Sequence, residues 1–327
     1  MVFSYIIHWT KKMSEEALLI DVSGNDRVKL ALTQSRRRPK LASSYPCTGT
    51  ADFTRAIEDF LAKSSDYNLV GAAVSACGWE QDGGLAMPND SFRIQREWLR
   101  DFLKIRRLNL VNDCVCIAMA VEHLEPNETV KICGGEGDAA QPKLLIGASF
   151  GLGEALIISD DLNGNTILPC EGGHSDLPAI TPREKAVLEV MEKKFGRVSR
   201  ERAVSLQGLM EIWRCLGVLD GQTQEQVSPN EIVDRARAGD PRAKETLALC
   251  VGWLATTASD AALMTGARGG IYLAGCLIDL IRDDIDYPAF TTRFQNKGRL
   301  AEYVSDIPVY IITAAEPELI GLSSLFL

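Results

Sequence analysis

The stretch Leu108-Asn109-Leu110-Val111-Asn112-Asp113-Cys114-Val115-Cys116-Ile117-Ala118-Met119-Ala120-Val121 decides the fold class. Leu108 to Val111 is an apolar run of strand length, and a helix is expected from about Asp113 to Val121. Two polar residues, Asn112 and Asp113, mark the handover. A strand that passes straight into a helix is the repeating unit of an α/β lobe. Polar residues at such a strand end commonly face a ligand crevice. Asp113 would serve equally well as a simple helix N-cap.

The same alternation extends outward. Upstream, Leu69 to Ser75 reads as a strand ending in small residues, and Gln95 to Leu103 as a helix. Phe53, Ile57, Phe60 and Leu61 recur at helical spacing behind Thr48 or Thr50 as the cap. The first two strands, Ala17 to Val22 and Val28 to Thr33, are joined by the turn residues Ser23-Gly24-Asn25-Asp26, so they form a hairpin. Downstream, strands are expected at Val130–Cys133, Leu144–Ser149 and Glu154–Ser159. Beyond about Pro178 the chain turns helical, at Pro182–Lys194, Leu206–Leu216, Pro229–Ala238 and Pro241–Met264. In the last of these Leu247, Val251, Leu254 and Ala258 form one stripe. Strands return at Gly270–Ala274 and Pro308–Thr313, and a helix from Pro317 to Phe326 closes the sequence. No repeat of fixed short period is visible.

Composition narrows the function classes. The 327 residues suffice for two domains, and 46% hydrophobic with 24% charged residues is globular. A net charge of −9 argues against a nucleic-acid partner. The basic run Arg36-Arg37-Arg38-Pro39-Lys40 reads as a solvated turn or a partner contact. Nine scattered cysteines without a C-x-x-C pair point to reduced thiols and a cytoplasmic location. No apolar run approaches the ~20 residues of a membrane span, so no membrane partner is expected. Residues 1–13 read as an extension ahead of the patterned fold, without the basic leader and cleavage site of a signal peptide.

Four further groups could carry chemistry. Asp21 ends a strand beside a tight turn, where a carboxylate can hold a hydrated metal ion and turn amides can face a phosphate; a plain hairpin explains it as well. Gly147-Ala148-Ser149-Phe150-Gly151-Leu152-Gly153 follows a strand but matches neither a Rossmann nor a Walker fingerprint. In Glu171-Gly172-Gly173-His174 the glycines allow a tight bend that turns both polar side chains to one ligand, unless the segment is a surface turn. Glu201, in Ser199-Arg200-Glu201-Arg202, reads alone as a solvated helix residue.

Taken in order, these groups resemble the bacterial-type glucokinases, zinc-free branch, of the actin-like ATPase superfamily. The resemblance runs from about Leu18 to Leu325. It rests most on the segment ending at Asp113, the Gly151-Leu152-Gly153 loop, Leu168 to Asp176, Val198 to Arg202, Lys297-Gly298-Arg299, and Asp306 to Tyr310. It implies a two-lobed, ribonuclease H-like α/β fold of mixed sheets flanked by helices. The lobes would be residues 14–123 plus 314–327 and residues 124–313. It also implies transfer of the ATP γ-phosphate to the 6-hydroxyl of glucose or a similar hexose, with Mg2+ and in a cytoplasmic homodimer. Asp113 would be the base that takes the hydroxyl proton. Asn112, Asp113, Glu171, His174 and Glu201 would hold the sugar: carboxylates accept from hydroxyls, and the amide and imidazole supply mixed partners. Asp21, Ser23, Gly24, Asn25, Gly147, Ser149, Gly151, Gly153 and Gly275 would serve the nucleotide, with Asp21 holding Mg2+ through water. The cysteine cluster of the zinc-binding branch is absent, so no zinc is expected.

The phosphate side departs from the family. Where the first loop usually reads Asp-x-Gly-Gly-Thr-Asn, this chain has Asp21-Val22-Ser23-Gly24-Asn25-Asp26. At ~6 Å and an effective dielectric of ~20, the added Asp26 charge costs about 3 kcal/mol per unit of phosphate charge before screening. Phe150 replaces the small hydroxyl residue of the second loop, Cys276 follows Ala274-Gly275 where a glycine is usual, and Met87 to Phe92 is also atypical. A catalytically silent, sugar-binding regulator is the alternative these changes support.

Overall fold

The computed structural model describes residues 14–326 except 25, 36, 41, 65, 66, 79, 87–92, 161–163, 223 and 224. The N-terminal extension, Asn25, Arg36 and the Met87–Phe92 loop therefore lie outside the described residues. The chain divides into two compact units, one running to Cys116 and taking in the residues from Glu318, the other spanning Ile117–Pro317.

The first unit holds β1 (Ser14–Asp21), β2 (Arg27–Thr33), β3 (Ser43–Pro46), α1 (Thr50–Lys63), β4 (Tyr67–Ala76), β5 (Glu80–Gln81), β6 (Gly84–Ala86), β7 (Arg93–Gln95), α2 (Arg96–Leu103) and β8 (Arg107–Asn112). Its main sheet has the order β3-β2-β1-β4-β8. The hairpin strands β1 and β2 pair antiparallel, whereas β4 runs parallel to both β1 and β8. Side chains alternate across a strand, so β1 feeds two cores. Leu18 and Ile20 pack with Phe53, Ile57 and Phe60 of α1 and Leu99 of α2, while Ala17 and Leu19 pack on the opposite face with Cys116, Leu319, Leu322 and Phe326. The cap of α1 is neither threonine but Gly49. Thr48 instead donates its amide and hydroxyl to Asp52 Oδ2 at 3.2 and 2.8 Å. In the basic run, Lys40 reaches the buried carboxylate of Glu16 at 2.5 Å.

α3 (Asp113–Ala120) leads into the second unit. There follow β9 (Thr129–Cys133), β10 (Lys143–Ala148), β11 (Leu152–Asp160), β12 (Gly164–Cys170), α4 (Pro182–Phe195), α5 (Leu206–Leu219), α6 (Pro229–Arg237), α7 (Pro241–Thr265), β13 (Gly270–Ala274), α8 (Cys276–Ile281), α9 (Tyr287–Gln295), α10 (Ala301–Ser305) and β14 (Val309–Ile312). The sheet order is β12-β11-β10-β13-β14-β9. The long helix α7 is apolar and long enough to cross a membrane, but 72% of its most apolar window is buried in this unit. Its expected stripe is buried throughout, and Trp253 donates its indole N–H to Pro178 O at 2.8 Å. α11 (Pro317–Ser324) returns the chain to the first unit.

The two sheets share one wiring. In each, a strand (β1 or β10) pairs antiparallel with the next strand in sequence and parallel with a later one (β4 or β13), which lies parallel to a further strand (β8 or β14). The hairpin turns after β1 and β10 thus occupy equivalent places, and these are the two segments expected to face phosphate. This duplication leaves no repeat in the sequence because only the topology is shared.

Candidate active site

In the first unit the strand ends of β1, β4 and β8 lie side by side, with Asp21 paired to Ser75 and Ala76 paired to Asn112. Asn112, not Asp113, supplies the cap of α3: its Oδ1 accepts the Val115 amide at 3.3 Å and its amide donates to Gly78 O at 2.9 Å. Asp113 is the first residue of α3. Its Oδ1 accepts the adjacent Cys114 amide at 2.9 Å and its Oδ2 accepts the Cys77 thiol at 2.7 Å. Each carboxylate oxygen has a second lone pair, so the group keeps capacity for a ligand hydroxyl. Cys77 escapes motif reading; its only signal is its place at the end of β4.

Asp21 is 1% exposed. Its Oδ1 accepts the Ser23 amide at 3.1 Å, Lys29 lies 3.8 Å from Oδ2, and Oδ2 has no hydrogen-bond partner. Burial raises its pKa against the pull of Lys29. Glu318, in the first turn of α11, is pushed up to about 8 by burial, with the charge of Asp21 adding to the effect. Glu318 follows Pro317 at a helix start, where an acid is expected for the macrodipole alone, so its position beside Asp21 is not legible in the sequence. Gly24 is exposed, and a Cβ there would meet nothing closer than Arg27 O at 3.8 Å. Asp26 is also exposed.

In the second unit the glycine loop is shorter than its sequence suggests. Gly147 and Gly153 are strand residues facing each other across the β10–β11 ladder, and the turn itself is Ser149–Gly151. Ser149 N donates to Gly151 O at 2.8 Å, and Ser149 Oγ accepts the Cys276 amide at 3.1 Å. Gly275, at φ +104°, sits against this turn so closely that a Cβ would lie 2.4 Å from Ala148 O. Phe150 is 38% exposed at the tip. Ser149, in the β10–β11 turn, and Gly275, between β13 and α8, thus lie against each other at one end of the sheet.

The Gly172–His174 turn lies against the start of β11. Neither Gly172 nor Gly173 has positive φ, so the glycines serve close approach and not an unusual bend. A Cβ on Gly173 would fall 2.0 Å from Leu152 O, and one on Gly172 would fall 2.1 Å from Glu154 Oε2. The turn joins the Arg200–Arg202 segment through the Asp176–Ser199 bridge and the Arg200 N to Ser175 O bond of 2.9 Å. Glu201 is not free in solvent: its Oε2 accepts the Leu152 amide at 3.1 Å and would meet a Gly151 Cβ at 2.6 Å. Glu171 and His174 are exposed at the surface of this unit. Glu171, His174, Glu201 and the Ser149–Gly151 turn are therefore assembled around one strand start, Leu152.

Glu154 and Arg200, 5% and 7% exposed, are charged groups that motif reading passed over. An acid inside the apolar run Leu152–Ile158 was the available signal. None of the nine cysteines forms a disulfide, and six of them are buried. Among the described residues no cluster of three or more His, Cys, Asp or Glu side chains has the arrangement of a metal site.

Comparison with known proteins joins these features. The family model described as glucokinase matches residues 18–327. The chain is 35% identical over 305 residues to a glucokinase-like protein of Caulobacter vibrioides, covering 93% of this chain and 95% of that one. It is 32% identical over 311 residues to a glucokinase of Pseudomonas paraeruginosa, covering 93% and 90%. Among solved structures, glucokinase from an Antarctic psychrotroph superposes with a TM-score of 0.83 at 23% identity, over 95% of this chain and 98% of that one. Glucokinase from Balamuthia mandrillaris, crystallised with glucose, superposes with a TM-score of 0.79 at 19% identity, covering 95% and 93%. The shared fold is that of the actin-like ATPase sugar kinases.

Proposed function

The chain belongs to the glucokinase family, and from that premise we propose how its residues perform the phosphorylation of glucose at the expense of ATP. The observation that carries the assignment of the base is the division of labour at the end of β8. Asn112 caps α3, which leaves the Asp113 carboxylate to take the proton from the 6-hydroxyl as that oxygen attacks the γ-phosphate. The Cys77 thiol and the Cys114 amide hold the carboxylate in place from its two oxygens. Proton removal in the transition state is worth about 10²–10⁴-fold, so positioning of this one group matters.

Glu171, His174 and Glu201 are assigned to the remaining sugar hydroxyls, with Asn112 offering its second amide hydrogen. On the nucleotide side we assign the Ser149–Gly151 turn and Gly275 of the second unit, and Ser23, Gly24 and Asn25 of the first. Magnesium, when bound with the nucleotide, would supply charge neutralisation for the transferring phosphate. Asp21, whose Oδ2 is buried without a hydrogen-bond partner, fits as the residue that holds it through water. A cytoplasmic location and a homodimer complete the reading.

The silent sugar-binding alternative is not favoured. Phe150 and Asp26, the side chains it rests on, are both exposed and so do not fill the turns from which they project. The test is glucose 6-phosphate formation from glucose and Mg·ATP by the wild type and Asp113→Asn. Turnover should fall by about 10³-fold or more in the variant with glucose affinity nearly kept. Equal turnover in both proteins would refute the role of Asp113.

A further inference from the structure

Lys297-Gly298-Arg299 and the buried Arg200 have no part in the phosphoryl transfer as assigned above, yet one carboxylate joins them. Asp260 stands near the C-terminal end of α7, the long helix whose apolar side chains enter the core of the second unit. Its Oδ2 accepts a hydrogen bond from a terminal nitrogen of Arg200 at 3.1 Å, and its Oδ1 accepts one from Lys297 Nζ at 2.5 Å. Arg200 is 7% exposed, and its Nε and other terminal nitrogen have no partner among the described residues. The guanidinium therefore rests on Asp260 alone among those residues. Charge-assisted bonds of this kind are stronger than neutral ones. Removing one member of a buried pair leaves the other charge uncompensated.

Arg200 passes this anchoring to the sugar side through the backbone. Arg200–Arg202 is a single 3₁₀ turn, with Arg202 N bonded to Ser199 O and Ala203 N to Arg200 O, both at 3.0 Å. Successive side chains in such a turn point about 120° apart, so burying Arg200 against α7 dictates where Glu201 is aimed. Glu201 reaches the start of β11, where its Oε2 accepts the Leu152 amide at 3.1 Å. In the other direction, the Arg200 amide donates to Ser175 O at 2.9 Å, and Ser199 bridges to Asp176. Ser175 closes the turn that carries Glu171 and His174, since its amide and hydroxyl both donate to Gly172 O, at 3.0 and 2.6 Å. An unbroken run of hydrogen bonds and covalent bonds thus leads from Asp260 to three residues assigned to the sugar.

We propose that Asp260 is a positioning residue of the sugar site. From α7 it holds Arg200, and through Arg200 it sets Glu201 and the Glu171–His174 turn in one arrangement, while Lys297 fixes its second oxygen. The inference rests on the glucose kinase reading above and adds to it residues that act through others.

The test uses the full chain with Asp260→Asn, Arg200→Met, the double variant, Arg200→Lys and Lys297→Met. Each is assayed for KM of glucose and of ATP, kcat, glucose binding by calorimetry and thermal midpoint. Asp260→Asn and Arg200→Met should each raise KM and Kd for glucose about tenfold through misplaced ligands, with the KM of ATP within about twofold of wild type. The double variant should match the worse single, because the second change removes a bond already lost. Arg200→Lys keeps a cation for Asp260 and should stay within about threefold of the wild-type glucose KM. Lys297→Met leaves Arg200 its acceptor and should do the same. Unchanged glucose KM in both Asp260→Asn and Arg200→Met, an equal rise in the KM of ATP, or effects that multiply in the double variant would overturn the proposal. Arg200→Lys as impaired as Arg200→Met would also overturn it, and that comparison decides the matter if Asp260→Asn does not fold. A wild type that neither binds nor phosphorylates glucose would overturn the kinase reading and this inference with it. A fully active wild type beside unaffected variants would overturn this inference alone.

Discussion

The carboxyl group of Glu318 makes the stability of the first unit depend on pH, and Glu318→Gln should remove most of that dependence. Glu318 stands at about 8 in the folded chain against an ordinary 4.5. Below pH 4.5 both folded and unfolded chains hold the proton, and the group contributes no difference. As pH rises from there, the unfolded chain releases the proton while the folded chain retains it. Stability therefore falls by up to ~1.4 kcal/mol per pH unit and levels off above about pH 8. By pH 7.5 the loss reaches ~4 kcal/mol, a large share of a typical domain stability. Glutamine cannot titrate, so this contribution is absent from the variant. The assay is denaturant unfolding of both proteins without divalent metal, from pH 5 to pH 8, with hydrogen exchange reporting on α11. The wild-type stability should drop across this range, and the variant curve should be nearly flat and lie above it at pH 7.5. Parallel curves for the two proteins would refute the reasoning.

Three other outcomes follow from close contacts. Gly321→Ala places a Cβ 1.8 Å from Cys116 O, so it should destabilise the first unit by about 3 kcal/mol or more, read as a lowered unfolding midpoint. Cys77→Ala removes the thiol held by Asp113 Oδ2 and should lower kcat about fivefold, the value of one hydrogen bond, with little change in the KM of ATP. Phe150→Thr supplies a hydroxyl at the tip of the Ser149–Gly151 turn and should lower the KM of ATP about tenfold, as expected for one bond to a charged phosphate; an unchanged KM would place the tip away from the nucleotide.

Much of the fold was legible because its strands and helices carry strong apolar periodicity. β1 shows why: its alternate residues enter two different cores, so Ala17 to Ile20 is an unbroken apolar run. β12 was invisible for the opposite reason. It is an edge strand with mostly exposed or half-buried residues, and Leu168 is 43% exposed, so neither alternation nor a continuous apolar run marks it. The short helices α8, α9 and α10 lie in a stretch where no single segment is long enough for the 3.6-residue period to stand out. At the site, motif order identified Asp113, Glu171, His174 and Glu201 as candidates. It misjudged the reason for Gly172 and Gly173, which yield space to Glu154 and Leu152 and do not need unusual backbone angles. Spacing along the chain cannot report what lies on the far side of a residue. For the same reason nothing in the sequence marks Arg200 as buried, with its guanidinium bonded to Asp260.

The return of the chain through α11 sets a timetable for synthesis. One face of the first sheet, presenting Ala17, Leu19, Ala31 and Ala73, is covered by Leu319, Leu322 and Phe326. Those residues emerge only after the whole Ile117–Pro317 unit has been translated. At ~5–20 residues per second, that interval is about 10–40 s. A nascent chain thus carries a sheet with one bare apolar face for tens of seconds at the slower rates, and it is during this interval that chaperone capture or aggregation would compete with folding.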